Sequence, residues 1–313
     1  MGALDKSQAK SFDARFLNWQ SIARQIKENY NLQNLLSPKI IEIGVQENES
    51  YLVYKPFGDS EKTFKIFIDE DDLRAAGISA LANGEYERGV EAVLGSFFQS
   101  CRVFIDIGAN VGFYSCFASA VNQSIKVFSF EPNPDVRNRL HKNVMLNKSH
   151  DKVNVLPFGL GEHHADLELF VPPRSGSGAG SLRDLHPEEG ESKRFIVAVR
   201  QLSEIFPLLD CVDILKIDIE GSELSAIKGG LELIQRNKPI IVVELLRKWM
   251  KPFDSHPQDV LNLLIPFGYQ CFSIADNGLK RIYKVDENTS ETNFLFFPNE
   301  RDQRMVDQLM VIG

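Results

Sequence analysis

The chain has 313 residues, of which 43% are hydrophobic and 25% charged, a composition typical of a globular protein that buries a large core. Its formal net charge of −8 argues against the broad basic surface that binds a nucleic-acid backbone, so nucleic acid is not an expected partner. No stretch approaches the ~20 apolar residues that span a bilayer, so no membrane association is expected either.

The first 83 residues differ from the rest of the chain in their pattern of polar and apolar residues. Residues 1–40 lack the apolar core of a signal peptide, and they predict amphipathic helices because apolar side chains recur at helical spacing. These side chains are Phe16, Trp19, Ile22 and Ile26. Three short β-rich runs follow, "IIEIGV", "SYLVYK" and "TFKIFI", and they predict a small antiparallel unit. We interpret residues 1–83 as an N-terminal accessory α+β extension.

From residue 84 onward, helical segments alternate with apolar strands. Strands are predicted at 102–107, 126–131, 153–158, 212–220, 239–246 and 293–298, and helices at 84–100, 111–121, 134–147 and 222–236. The strands are almost continuously apolar, which is typical of a parallel sheet covered by helices on both faces. We therefore expect an α/β fold with a doubly wound, mostly parallel sheet in residues 84–313.

One long insertion interrupts this alternation at residues 159–200. It contains a predicted strand, "ADLELFV", and then a stretch rich in Gly, Ser and Pro. Segments of this length in a compact domain are usually functional or disordered. Two interpretations remain open at this point, a plain flexible loop and a lid over an active site.

The stretch "FIDIGANVGFYS" (104–115) predicts a strand, a tight turn and a helix start. Gly108 and Gly112 allow the backbone to approach a ligand closely. A nicotinamide dinucleotide fingerprint, G-x-G-x-x-G, requires glycines where Asn110 and Phe113 stand. Asp106 lies two residues before the turn, where it disfavours a pyrophosphate and favours a cationic group such as an ammonium.

A second acid has the position expected of a ribose ligand. Glu131 ends the strand that follows the glycine turn, where a carboxylate can accept hydrogen bonds from both hydroxyls of an adenosine ribose. The four cysteines are scattered without metal-ligand spacing, so we expect free thiols, no bound metal and a reducing, cytoplasmic location. No pattern indicates an oligomeric state.

Four segments together carry a resemblance to a known family. The segments "FIDIGANVGFYS", "FSFEPNP", "VDILKIDIEGSE" and "KPIIVVE", in this order and spacing, resemble the FkbM-type family of S-adenosylmethionine (SAM) dependent methyltransferases. The resemblance covers about residues 84–300. It implies a Rossmann-like class I methyltransferase domain over residues 84–313, SAM as cofactor, and a hydroxyl of a sugar, glycan or secondary metabolite as methyl acceptor.

The resemblance also implies roles for individual residues. Gly108, Asn110 and Gly112 would face the methionine part of SAM, with Asp106 near its ammonium. Glu131 would hold the ribose. Phe158 and Gly159 would lie near the adenine, although many such enzymes place an Asp or Asn there.

Acids at the ends of two later strands are the candidate catalytic residues. Asp218 and Glu220 point to the same side of one strand end, and Glu244 ends the next strand. A carboxylate so placed can assist removal of a proton from an alcohol, although Asp218 could simply pair with Lys216. Two alternatives stay open, a nicotinamide-dependent oxidoreductase and a cofactor-binding protein without transfer activity.

Overall fold

The computed structural model describes residues 37–47, 49–57, 61–68 and 76–310. The helices predicted around Phe16, Trp19, Ile22 and Ile26 lie outside these ranges. Within them, no helix combines the length and the apolar character that a bilayer crossing requires.

The first three strands form a small antiparallel sheet, as predicted. These strands are β1 (Ile40–Gln46), β2 (Glu49–Tyr54) and β3 (Phe64–Phe67), with β2 in the middle. Alternate residues of β2 are buried, which is the pattern of a strand with one face against a core.

The later elements alternate between strands and helices. The strands are β4 (Val103–Ile107), β5 (Lys126–Phe130), β6 (Val153–Leu156), β7 (Gly159–Leu160), β8 (Ala165–Val171), β9 (Lys193–Arg200), β10 (Ile214–Ile217), β11 (Ile240–Glu244), β12 (Tyr269–Ala275), β13 (Gly278–Ile282) and β14 (Asn293–Pro298). The helices are α1 (Ala76–Asn83), α2 (Arg88–Phe98), α3 (Phe113–Val121), α4 (Pro134–Leu146), α5 (Leu202–Ile205), α6 (Glu223–Gly229), α7 (Leu231–Asn237), α8 (Arg247–Met250), α9 (Pro257–Leu264) and α10 (Arg304–Asp307).

The central sheet has the strand order β13-β12-β14-β11-β10-β4-β5-β6. The strands from β11 to β6 are parallel, whereas β14, β12 and β13 pair antiparallel at the other edge. The chain runs outward from β4 to β6 and then returns to place β10 on the other side of β4. Ligands of open α/β sheets bind at such a reversal, beyond the carboxyl ends of the strands. The predicted doubly wound sheet is therefore confirmed.

Hydrophobic clusters cover both faces of this sheet. Neighbouring residues of one strand contribute to opposite clusters, Phe104 to one and Ile105 to the other. Burial on both faces explains why the strand segments are continuously apolar. The small N-terminal sheet joins the first cluster, where the Phe64 ring lies 5.0 Å from that of Phe113. The boundary at residues 83/84 stays a prediction, and residues on its two sides share one hydrophobic cluster.

Two predicted helices differ in the structure. The helix predicted over 222–236 is divided at Gly230 into α6 and α7, and the carbonyl oxygen of Gly161 packs against the neighbouring Gly229, where no Cβ would fit. The helix predicted over 84–100 begins only at Arg88. Residues 84–87 form a bend instead, in which Glu87 has a left-handed backbone (φ 42°).

A buried carboxylate joins the N-terminal sheet to α2. Glu91 is fully buried and accepts hydrogen bonds from Lys39 Nζ (2.6 Å), Tyr54 Oη (3.0 Å) and the Phe57 backbone N–H (2.7 Å). Removal of one partner of a buried ion pair is costly because the other charge is left without compensation.

We expect Glu91→Leu to destabilise the protein by about 3 kcal/mol, since it leaves the Lys39 ammonium, the Tyr54 hydroxyl and one backbone donor without their acceptor. Urea denaturation measures the effect. As a control, replacement of the exposed Glu42 by Gln should change stability by less than about 0.5 kcal/mol. An equally small effect of both changes would contradict the structural role of Glu91.

Candidate active site

A cleft of about 920 Å³ opens beyond the carboxyl ends of β4, β5 and β10. Most of the residues singled out from the sequence line it, namely Asp106, Gly108, Asn110, Glu131, Phe158, Gly159, Asp218 and Glu220.

The turn after β4 has a run of left-handed backbone conformations. Gly108 (φ 77°), Asn110 (φ 50°) and Gly112 (φ 86°) all lie in this region. A Cβ on Gly108 would overlap the carbonyl oxygen of Asp218, so two turns of the sheet meet here with no room for a side chain. Asn110 is strained by order 1 kcal/mol or more, and its buried Oδ1 has no hydrogen-bond partner. Strain and an unpartnered acceptor together indicate a functional position.

Asp106 lies at the end of β4 beneath this turn. It is 1% exposed, its Oδ2 accepts a hydrogen bond from Ser115 Oγ (2.6 Å), and its Oδ1 has no partner. Burial raises the pKa of this carboxyl above its ordinary value, against the opposing effect of Lys216. A cationic group at the cleft surface would complete the hydrogen bonding and restore the ionised form.

Glu131 lies at the end of the neighbouring strand. Its Oε2 accepts a hydrogen bond from the Asn110 backbone N–H (3.0 Å) and its Oε1 from that of Asn133 (2.8 Å). Burial raises its pKa to about 7, although these backbone donors oppose the shift. Each carboxylate oxygen keeps a further lone pair, which a hydroxyl donor of a ligand can use.

The far end of the cleft is apolar. Phe158 and Gly159 line it together with Leu160 and Leu169. An aromatic ring and aliphatic side chains can pack against a flat heterocycle without a polar side chain. The sequence therefore predicted a region of suitable character, and the adenine contact stays a prediction.

The three candidate catalytic acids are close together. Oxygen atoms of Asp218, Glu220 and Glu244 all lie within 4.8 Å of one another. Lys216 Nζ pairs with Asp218 Oδ2 at 2.9 Å, as the sequence suggested. Burial and then repulsion from Asp218 and Glu220 raise the pKa of Glu244 to about 10. A divalent cation could also bridge oxygens at this spacing, so the expectation of no metal remains untested.

The turn that carries these acids is held by a neighbouring glutamate. Glu223 is buried, and its Oε1 accepts hydrogen bonds from the backbone N–H groups of Gly221 (2.9 Å) and Ile219 (3.3 Å). Glu220, on this turn, has a left-handed backbone (φ 52°). These contacts give Glu223 a structural role at the N-terminus of α6.

The insertion at 159–200 closes one side of the cleft. Its strands β7, β8 and β9 form a separate sheet, and the connection between β8 and β9 contributes Gly178, Gly180, Ser181 and Leu182 to the cleft lining. Ser181 Oγ donates a hydrogen bond to the Glu220 carbonyl oxygen (2.7 Å). These contacts favour a lid over a plain loop.

Sequence reasoning missed several residues of the cleft. Tyr86 and Tyr114 line it, and their rings pack with that of Phe113. Tyr114 directly follows the glycine turn, so its position could have been inferred. Tyr86 could not, because it lies in the bend that interrupts a segment with helical periodicity.

A family model described as the methyltransferase FkbM domain matches residues 106–271, more than half of the chain. The site and the doubly wound sheet thus define a class I methyltransferase fold. The chain belongs to the FkbM methyltransferase family.

The individual proteins that the chain resembles have low sequence identity to it. The chain is 29% identical to the hexuronic acid methyltransferase AglP of Haloferax volcanii, over 45% of this chain and 54% of that protein. It is 28% identical to methyltransferase sdnD of Sordaria araneosa, over 40% of this chain and 59% of that protein. The matches thus span less than three fifths of these curated relatives. The crystal structure of methyltransferase FkbM from Methylobacillus flagellatus superposes with a TM-score of 0.41 at 20% identity, covering 63% of this chain and 44% of that one.

Replacement of Gly108 by Ala tests the contact between the two turns. We expect a loss of stability of about 2 kcal/mol or more, because the methyl group combines an unfavourable φ with overlap of the Asp218 carbonyl. Gly268 also has a left-handed backbone (φ 84°), but a Cβ there would meet only side-chain atoms at 3.7 Å or more. Gly268→Ala is therefore the matched control and should cost only about 1 kcal/mol, the backbone strain alone. Thermal unfolding compares them, and equal losses would contradict the contact.

The raised pKa of Glu244 predicts a pH-dependent effect of its replacement. The unfolded carboxyl loses its proton near its ordinary pKa of 4.5, whereas the folded one keeps it up to about pH 10. Wild-type stability therefore falls with rising pH in this window. Glu244→Gln removes this dependence, so it should match the wild type near pH 4 and be more stable by about 1–3 kcal/mol at pH 8.

Denaturation in the presence of EDTA measures this difference. Replacement of the exposed Glu287 by Gln provides the control, for which the difference from wild type should not vary with pH. A Glu244→Gln protein no more stable than wild type at pH 8 would show that Glu244 is not held in its protonated form.

Proposed function

We propose that this protein transfers a methyl group from SAM to a hydroxyl group of a sugar, a glycan or a related secondary metabolite. One observation carries the proposal. The same cleft has a buried, unpartnered carboxylate oxygen at Asp106 and a carboxylate at Glu131 with free lone pairs, on either side of a glycine turn. A ligand with a cation at one end and a diol at the other matches this pattern, and family membership supports a methyl donor.

The cleft residues fit SAM group by group. Asp106 would pair with the α-ammonium, Glu131 would accept from the ribose hydroxyls, and Phe158 would pack on the adenine. Gly108 and Asn110 line the cleft where the methionine part would lie, whereas the Cβ position of Gly112 faces Leu140 and supports the turn. SAM, when bound, supplies a methyl group made electrophilic by the sulfonium.

The chain must then orient the acceptor and remove its proton. Burial and the charges of Asp218 and Glu220 raise the pKa of Glu244, which favours its protonated form and makes it the weaker candidate for a base. Asp218 and Glu220 line the cleft and remain as the proton acceptors. Asp218 is the carboxylate of an ion pair, and Lys216 keeps it in place. The Ser181 hydroxyl of the lid contacts the Glu220 carbonyl oxygen at this end of the cleft.

The proposed acceptor class has two supports. A hydroxyl is a weak nucleophile until its proton is removed, and a group of carboxylates at the reaction end supplies the base that it needs. The name of the relative AglP describes methylation of a hexuronic acid, a sugar with several hydroxyl groups. We assign this chemistry to residues 84–313, with the N-terminal sheet as a support.

Binding and transfer measurements test the proposal. Calorimetric titration should show binding of SAM and S-adenosylhomocysteine but not of NAD. Glu131→Ala should weaken both by about 1–3 kcal/mol through loss of charge-assisted hydrogen bonds, with the exposed Glu162→Ala as a control for any glutamate removal. Transfer of labelled methyl from SAM to a panel of hexuronic acids and hexose glycosides then identifies the acceptor. Binding of NAD alone, or transfer only to amines or thiols, would contradict the proposed function.

A further inference from the structure

The bend before α2 places a glutamate next to residues that line the cleft, in an unusual way. Glu87 precedes the first residue of α2, yet its side chain makes no capping hydrogen bond. Its carboxylate instead accepts a hydrogen bond from Tyr114 Oη (2.7 Å). A left-handed backbone at a non-glycine residue costs of order 1 kcal/mol or more and clusters at functional sites. Because the Glu87 side chain does not cap the helix, we attribute the strained backbone to the placement of its carboxylate beside Tyr114.

The surroundings of Glu87 belong to the cleft. Tyr86 and Tyr114, on either side of it, both line the cleft. Glu87 is exposed as a residue, and desolvation at its carboxylate raises its pKa. The charged side chains that most affect this pKa are Lys216, Asp218 and Asp106. Glu87 therefore lies in the electrostatic field of the proposed methionine site.

These charges do not balance. Lys216 is in contact with Asp218 at 2.9 Å, and its single positive charge acts on Asp218, Glu87 and Asp106 together. Asp106 has an unpartnered oxygen, and in the described part of the chain no ion pair with Glu87 is found within 4 Å. Two carboxylates thus face one region with too little positive charge, an arrangement that a cationic ligand would stabilise.

The bend is held rigidly in place. The Tyr86 backbone N–H donates to Tyr54 Oη (3.2 Å), and that hydroxyl in turn donates to the buried Glu91. The Tyr86 ring lies 4.5 Å from the Phe113 ring, at the start of α3. A charged ligand group gains most from a partner that needs no rearrangement on binding.

We propose that Glu87, together with Asp106, binds the α-ammonium group of SAM. The inference rests on the proposed function and adds a SAM-binding side chain from outside the central sheet. Glu87 is bonded to Tyr114, two residues after Gly112, which places it on the methionine side of the cleft. The acceptor side has its own acids, Asp218, Glu220 and Glu244. Glu87 is thus a cofactor ligand, and the N-terminal sheet holds it there through Tyr54.

Two ligands that differ in the amino-acid part test this assignment. S-Adenosylhomocysteine has the α-ammonium, whereas 5′-methylthioadenosine lacks the whole amino-acid end. Glu87→Gln keeps the shape of the side chain but removes its charge. By calorimetry, we expect this variant to bind S-adenosylhomocysteine about 10- to 100-fold more weakly and 5′-methylthioadenosine unchanged within about twofold.

Control variants separate this effect from general damage. Glu85→Gln changes a glutamate two positions earlier, whose ion pair with Arg88 is long (3.8 Å) and exposed, and it should bind both ligands as the wild type does. Tyr114→Phe removes the hydrogen bond that orients Glu87 and should weaken S-adenosylhomocysteine selectively, by a smaller factor. This second variant keeps the test decisive if Glu87→Gln folds poorly.

Two results would overturn the inference. Equal weakening of both ligands by Glu87→Gln or Tyr114→Phe would assign these residues to the fold of the cleft. Unchanged binding of both ligands with a lower rate of methyl transfer would move Glu87 to the acceptor side. If the wild-type protein binds neither ligand, the proposed function fails as well, and this result is distinct from the first two.

Discussion

The close approach of two backbone turns at Gly108 and Asp218 is the constraint on which the site depends. The Gly108 N–H donates to the Phe130 carbonyl (3.0 Å), and the Asp218 N–H donates to the Ile107 carbonyl (3.0 Å), so the turns after β4 and β10 are both tied to the ends of adjacent strands. No side chain fits between them. Because the turns touch, the acids that follow β4 and β5 and those that follow β10 and β11 surround one cleft rather than two.

A consequence of this convergence is an excess of negative charge. Desolvation and mutual repulsion raise the pKa values of Asp106, Glu87 and Glu244, while Lys216 offsets only part of the charge. The protein itself therefore compensates only part of the negative charge in this cleft. A ligand with positive charge relieves the repulsion and gains affinity from it, whereas an anionic pyrophosphate would increase it. The charge of the cleft thus favours a sulfonium-bearing ligand over a dinucleotide, as the spacing of the glycines also does.

The features that the sequence predicts well are those with a local cause. Strands buried on both faces are continuously apolar, as Phe104 and Ile105 illustrate, and the turn glycines occur where the backbone is left-handed. The remaining features depend on distant contacts. Gly161 packs next to the break between α6 and α7, and Tyr54 and Tyr114 form hydrogen bonds with the bend at Glu87. Helical periodicity continues through both positions, so no local pattern could reveal them.

Hydrogen bonds through α4 join the N-terminal sheet to the glycine turn. Asn143 of α4 accepts a hydrogen bond from the Phe67 N–H of β3 (2.9 Å) and donates one to the Val111 carbonyl within the turn (2.8 Å). Tyr54 of β2 supports the bend on the other side of the cleft. The small sheet is thus linked to the surroundings of the cleft at two points through buried polar groups, which fix geometry more strictly than apolar packing does. Its place in the fold is therefore that of a support for the site, although its own sequence carries no chemistry.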